Sequence, residues 1–465
     1  MKRRSLPRRR GSALMLAVIL SAILAVISAS YLKMAGNESR NSHLSFMRNA
    51  ALNLAEAGAE EAIWALNNDD TSSWKSLSSN IIYKNSTGFD LKMAKDTQIQ
   101  MIIVDSATDP ILLTRGLINM PDGSRMDKFI RIELTPRSVA PNGLTAKDSI
   151  TFSGGNVTFD AYDSNSTNLL GSLEDAGTVA TTSIINDAAN ISNSSVMGGV
   201  ATGGGTVALG PNAKVFDASD VNNYGSPTHI PAGYVNPNLV TSDFRSDFPD
   251  MTAPSATNSV GTISNNMSLG SGTYVADAIS LNSNKKLHIT GDVKLVVKGD
   301  VKISGNGTGG IYVDQTNGSL ELYVAGDMDV GGNGFVNLNT NSYDPTPLGD
   351  FGVVPDLGVY PKPEKMLIFG IGDSSQSISY HGNATLSGVI YAPNAAVSLK
   401  GGGSGGEVLG AIVANTIKVT GTYGFHYDVQ LKNLFFDEDS YRMKSWSELL
   451  TANDKQKFRD IFDKL

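Results

Sequence analysis

Gly11-Ser12-Ala13-Leu14-Met15-Leu16-Ala17-Val18-Ile19-Leu20 opens a run with no charged side chain as far as Leu32. Lys2, Arg3, Arg4, Arg8, Arg9 and Arg10 stand immediately before it. About twenty apolar residues in a helix cross a hydrocarbon core of ~30 Å. Basic residues on one flank mark the cytoplasmic side. A secretory signal peptide is the alternative, with Ser28-Ala29-Ser30 as its cleavage site. Its apolar region is usually shorter, roughly 7–15 residues. The residues beyond Leu32 decide between the two. Leu44, Met47, Ala51, Leu54, Gly58, Ala62 and Leu66 recur at steps of three and four, which marks one helical face. Arg40, Arg48, Glu56, Glu60 and Glu61 occupy the other side. Leu54 to Ala62 is rich in strong helix formers. The pattern predicts one long helix over 12–66, apolar all round at first and amphipathic later. Gly36-Asn37 is the point where it would loosen.

The chain of 465 residues carries a net charge of −8. Its basic tip holds six positive charges, so the remainder is more acidic still. An acidic body argues against nucleic-acid binding. There is no cysteine, hence no disulfide framework and no thiolate site. Glycine is abundant, at 48 residues against 3 tryptophans, which favours tight turns in a β-rich body.

Downstream, residues 67–80 are polar. Thr97–Val104, Ile111–Asn119 and Asp127–Leu134 read as strands, with a turn at Met120-Pro121-Asp122-Gly123. They predict a small β-sheet domain over 67–140. From Gly143 short apolar strands alternate with Gly, Asn and Asp corners. Lys286 to Ile303 passes twice through a Gly-Asp turn, and Gly326-Asp327 repeats it. This texture predicts a parallel β-helix or related solenoid over 141–433; a β-sandwich is the alternative. Residues 217–265 are rich in Pro, Asn and Ser and read as a surface excursion. Residues 434–465 read as a helical cap for the open end of the solenoid, with Ser445-Trp446-Ser447-Glu448 as a capping box. The overall expectation is α+β.

No catalytic motif, phosphate loop or metal-ligand spacing is present, so neither an enzyme, a cofactor nor a metal is expected. His426 with Asp428 is the one pair that could orient an imidazole. Asp292, Asp300, Asp327 and Asp329 mostly follow glycine, which turn chemistry explains. Asp437-Glu438-Asp439 is too short a run for calcium.

Arg10-Gly11-Ser12-Ala13-Leu14 resembles the start of type IV pilin-like proteins, in which basic residues and a glycine precede an apolar helix. With Met34-Ala35-Gly36-Asn37 and Ala55-Glu56-Ala57-Gly58, it is similar to the amino-terminal region of PilX-like pilus assembly proteins. Gly388 to Ala395 and Phe425-His426-Tyr427-Asp428 resemble the carboxy-terminal domain that accompanies such termini. The resemblance implies a leader over 1–11, cut by a prepilin peptidase after Gly11 to leave Ser12. It implies a helix that anchors in the inner membrane and then packs among other pilin and minor pilin subunits through Leu14, Leu16, Val18, Ile19, Leu20, Ile23 and Leu24. Most pilins carry a glutamate where Leu16 stands here, so the resemblance implies a minor, tip-located or priming subunit. Its body would lie outside the cytoplasm, on the pilus or cell surface, for adhesion or contact with a surface or glycan ligand. The alternative is a membrane-tethered β-helical carbohydrate-binding protein or polysaccharide-acting enzyme.

Overall fold

A computed structural model describes residues 11–68, 70–92, 94–104, 109–154, 157–165, 177–304, 309–332, 334–336, 362–402, 406–435 and 441–463. The chain divides into two compact units, one of Met1–Arg137 with Phe436–Leu465, the other of Ser138–Phe435.

The first unit begins with one helix, α1 (Gly11–Asn67), which continues without a break through Gly36-Asn37. Five antiparallel strands come next in sequential order: β1 (Lys75–Ser78), β2 (Ile81–Thr87), β3 (Asp96–Val104), β4 (Ile111–Asn119) and β5 (Arg125–Pro136). A sixth strand, Tyr441–Glu448, returns from the far end of the sequence to pair with β5, Tyr441 opposite Pro136 and Trp446 opposite Ile132. The side chains of a strand alternate between faces, and here both faces are covered. Ile99, Met101, Ile103, Ile130 and Ile132 pack against Ala55, Ala59, Ala62 and Ala65 of α1. Ile102, Leu113 and Phe129 pack instead against Phe462 and Phe458 of the C-terminal helix, Ala452–Phe462.

That arrangement corrects the reading of residues 434–465. The Ser445 to Glu448 segment is a strand, and the helix starts only after Thr451, whose side chain accepts from the Asp454 amide. Ser-x-x-Glu is equally compatible with alternation on an edge strand, and pairing with β5 overrides the local helix signal. The helix belongs to the first unit and packs on its sheet. Asp437-Glu438-Asp439 lies outside the described residues.

In the second unit, every pairing between named strands is parallel, which excludes a β-sandwich; the described strands form one 24-stranded sheet. Three ladders run through it. The first stacks Leu295, Leu322, Ile368, Ile390, Ile412, Leu144 and Val179. The second carries Leu287, Ile311, Val336, Leu386, Val408, Phe425, Phe159 and Val196. The third carries Ile279, Val301, Met328, Ile378, Val397, Ile417 and Ile150. Each parallel strand, buried on its inner face, reads as Val, Ile and Leu.

The expected fold class, an open solenoid or β-helix with a C-terminal helical cap, is corrected by the order of these ladders. The last strands of the unit pair with the first. Gly406–Thr420 pairs with β6 (Leu144–Ser153), and Tyr423–Asp428 pairs with β7 (Val157–Tyr162). The parallel sheet is thus closed between the two ends of the unit's sequence, where a chain-ordered open stack would hold them furthest apart. Short apolar strands between Gly and Asp corners specify what points inward. They do not specify which strand lies next to which, because any parallel neighbour offers the same register. The excursion over 217–265 also contains structure the sequence did not announce: a helix at Ala218–Tyr224, capped reciprocally by Asp217 and Asp220.

Candidate membrane and filament helix

The predicted residues of the helix share one condition. Leu14, Leu16, Val18, Ile19, Leu20, Ile23 and Leu24 are all at least half exposed, Leu14 at 74% and Leu16 at 62%. The hydrophobic window of α1 has no part buried in the protein, and it is long and apolar enough to cross a membrane. Burying a single leucine side chain gains about 1.5–3 kcal/mol, so such a surface requires an apolar surrounding. At 1.5 Å per residue, Leu14 to Leu32 extends about 28 Å, which matches the hydrocarbon thickness. No acidic side chain interrupts the stretch from Gly11 to Leu32. Gly11 and Ser12 form the first turn of α1, and the residues before them, where a leader is expected, lie outside the described residues.

Burial begins at Met47. Met47, Ala51, Ala55, Ala59, Ala62 and Ala65 are each at most 3% exposed, at steps of four and three. The small side chains let helix and sheet approach closely. A Cβ on Gly116 of β4 would lie 2.0 Å from the Ala51 carbonyl oxygen and 2.8 Å from the Ala55 nitrogen. Next to it the Thr114 hydroxyl donates to the Ala55 carbonyl at 2.8 Å. The sequence marked the helical face through Met47, Ala51 and Ala62 but could not show how narrow the gap is.

The opposite face of the sheet holds a charge cluster that the sequence did not reveal. Arg115 is 1% exposed. It donates to Asp127 at 2.9 Å, to Asp463 at 2.6 Å and to Gln100 at 3.2 Å. Arg459 adds two bonds to Asp127. Burial would raise the Asp127 pKa, but Arg459 and Arg115 outweigh it and hold the carboxyl below its usual range. A buried arginine on a strand leaves no periodic signature, and one of its three partners, Asp463, comes from the distant end of the C-terminal helix.

In the second unit, His426 does not pair with Asp428. Its Nδ1 lies 2.6 Å from Asp160 Oδ1 and its Nε2 lies 2.9 Å from Glu407 Oε2. Asp160 sits on β7, His426 on its neighbour Tyr423–Asp428, and Glu407 on Gly406–Thr420, which pairs with that neighbour. Burial works against a charge on the imidazole, yet the carboxylates of Asp160 and Glu407 prevail and push its pKa up to about 10. With both ring nitrogens occupied by carboxylates, the group is a fixed cation and has no free nitrogen to act as a base. Asp428 instead accepts from the Ser164 and Gln430 amides, and burial raises its pKa to about 6. Two of the corner aspartates serve the backbone. Asp300 Oδ1 accepts from the Asp327 amide at 3.1 Å, and Asp327 Oδ1 from the Ser377 amide at 2.8 Å. Asp292 accepts from the Ser319 hydroxyl, and Asp329 pairs with His381. Among the described residues, no group of three or more His, Cys, Asp or Glu side chains is placed to hold a metal ion.

Residues 246–434 match a family model described as a domain of unknown function (DUF7305). No match was found among curated proteins. Among solved structures, the chain is similar to the competence-associated pilin ComZ from Thermus thermophilus. The two are 12% identical with a TM-score of 0.21, over 87% of this chain and 98% of that one. A TM-score of that size carries no argument about fold or function.

Proposed function

We propose that the chain is a membrane-inserted, pilin-like subunit incorporated into, or priming, a type IV pilus or related filament. The observation that carries this reading is the division of α1 into two halves. From Leu14 to Leu32 it is apolar and exposed, while from Met47 it is stitched by alanines to an antiparallel sheet. A simple tether has no need of a rigid helix continuous with a folded unit. A subunit that must leave the bilayer and pack its anchor among copies does, because the anchor then has to hold a fixed direction relative to the sheet.

The finer parts of the proposal rest on the sequence. A prepilin peptidase cuts after Gly11, and Ser12 becomes the amino terminus. Leu16, apolar where an assembling major subunit presents a carboxylate, assigns the chain a minor role. The second unit is its exported cargo, for adhesion or surface contact and without enzymatic activity. Co-purification with sheared filaments, together with mass spectrometry of the mature terminus, tests the reading. A chain retaining residue 1, or one beginning near Tyr31, refutes it. A Gly11→Val chain processed as efficiently as the original refutes the cleavage assignment.

A further inference from the structure

We propose that residues 242–257 are a strap that clasps the second unit shut across the place where its end meets its beginning. The first ladder extends beyond the residues given above. Tyr274 and then Asn258 follow Leu295 on one side, and Val200 and then Val240 follow Val179 on the other. The ladder thus counts eleven levels, with Asn258 and Val240 at its two ends. Ten steps of about 4.8 Å separate these ends by about 48 Å. The chain passes from one to the other through a segment whose residues 242–257 form no helix and no strand. At full extension the eighteen residue steps from Val240 to Asn258 reach about 59–65 Å. The segment therefore runs along the outside of the ladder from end to end, drawn out to most of its length.

Its contacts follow that course. The Phe244 amide donates to the Thr202 carbonyl at 2.9 Å, beside the level of Val200. The Phe248 ring lies 5.7 Å from Lys147 Nζ, on β6. The Tyr391 hydroxyl donates to the Pro249 carbonyl at 2.8 Å, and Asn394 Nδ2 donates to Asp250 Oδ1 at 2.9 Å. Tyr391 and Asn394 belong to the strand Leu386–Gly401, whose Ile390 occupies the sixth level from either end of the ladder. Pro249 is likewise nine residues from Val240 and nine from Asn258. The middle of the strap is thus fixed at the middle of the ladder.

That middle is the junction. Leu144 of β6 stacks on Ile412, whose other neighbour is Ile390. Lys147 stands on the side that precedes the strap in sequence, and Tyr391 and Asn394 stand on the side that follows it. Lys147 Nζ also donates to Asn394 Oδ1 at 2.9 Å, across the intervening strand Gly406–Thr420. Phe248, Pro249 and Asp250 therefore grip both sides at once. If the junction parted, β6 and Gly406–Thr420 would present unpaired edges, which template pairing with other chains. Parting first requires release of the three grips. The strap's spare length, about 11–17 Å by difference, then stops the two sides within a few strand spacings, from which they can close again. A chain without cysteine has no disulfide to serve this purpose. The inference stands independently of the filament reading.

Amide hydrogen exchange of the full chain in detergent, read by mass spectrometry of its peptides, tests it. A recognition site for a sequence-specific protease replaces residues 252–257, and the strap is cut only after folding. In the uncut chain, peptides of β6 and Gly406–Thr420 should exchange as slowly as those of Asp292–Val297 and Ser319–Val324. Cutting should speed exchange in the first pair by about tenfold or more and leave the second pair unchanged. An uncut Asp250→Ala chain should show the same selective rise, by about tenfold, the factor that loss of one hydrogen bond to a charged group produces. Equal exchange in cut and uncut chains, or a rise spread evenly over all levels, overturns the proposal whether or not the variant folds. An Asp250→Ala chain with the wild-type circular dichroism spectrum and no rise at the junction overturns it as well.

Discussion

Replacing His426 with glutamine tests the charge arrangement where the parallel sheet closes. In the folded chain its pKa is about 10 against an ordinary value of 6.5, which corresponds to about 5 kcal/mol of preferential proton binding by the native state. Below pH 6.5 the imidazole is protonated whether the chain is folded or not, and the full contribution is present. Between pH 6.5 and about 10 only the folded chain keeps the proton, so stability falls by about 1.4 kcal/mol per pH step. Above that the contribution is gone. Asp428, with its pKa near 6, is still roughly a quarter protonated at pH 6.5 and almost fully ionised by about pH 8, so the slope between pH 8 and 9.5 belongs to His426. Urea unfolding followed by circular dichroism at pH 6.5, 8 and 9.5 reads the slope directly. The wild-type midpoint should decline steadily. His426→Gln should be less stable at pH 6.5, by about 3–5 kcal/mol, because Asp160 and Glu407 then keep their burial without a cation. Its midpoint should be nearly flat across the window. Parallel curves for the two chains would show that His426 is neutral in the native state and would refute the reasoning.

Gly116→Ala drives a methyl group into the Ala51 carbonyl. Backbone cannot step aside, so a loss of about 1–3 kcal/mol is expected by thermal unfolding, with faster amide exchange in residues 51–59. Asp428→Asn keeps an acceptor for the Ser164 and Gln430 amides and removes a carboxylate whose raised pKa favours the folded state at low pH. The pH dependence of unfolding between about 4 and 6 should therefore flatten. Arg115→Ala leaves the Asp127 carboxylate, 8% exposed in its side chain, to Arg459 alone. The C-terminal helix should become sensitive to limited proteolysis near Lys455 to Arg459, at a cost of about 3–5 kcal/mol. Leu16→Lys places a charge in the membrane-spanning segment at about 2.5–3.5 kcal/mol, and membrane-fraction recovery after alkaline extraction should fall.

What the sequence disclosed, and what it withheld, divides along the range of the interactions. The long helix was legible because its cause is local: an uncharged run, then Met47, Ala51 and Ala62 at helical spacing. The strands at 97–104 and 111–119 were legible as alternating apolar segments. β1 and β2 were not, because Lys75–Ser78 and Ile81–Thr87 carry no fully buried side chain, β2 pairing with β3 and β1 with β2. The last strand carried a helix-start signature at Ser445 and Glu448, yet only proximity to β5 gives those residues a partner. Glu448 in fact bonds Lys128, 320 positions earlier.

The same limit explains the second unit. Repeated Gly-Asp corners pointed correctly to short parallel strands, and the Asp300 and Asp327 bonds show one reason aspartate recurs there: these two carboxylates accept amides from Asp327 and Ser377 further along the chain. Such corner bonds need only a donor on the adjacent level, so they hold any order of strands equally well. The residues that single out one order are the ones without a repeat. Asp160, Glu407 and His426 form one such group, and Lys147, Asn394 and Asp250 form another, and both sit where the end of the unit meets its beginning. Selection of neighbours in this sheet is therefore assigned to a few polar contacts, of which Asp160–His426 and Lys147–Asn394 join residues more than 200 positions apart, while the apolar ladders supply the bulk of the burial and no preference. Exchanging His426 and Asp160 in a double variant separates the two contributions. Restored stability, relative to either single change, is expected if the pair acts through charge at the junction. Additive losses would place the preference in the ladders instead.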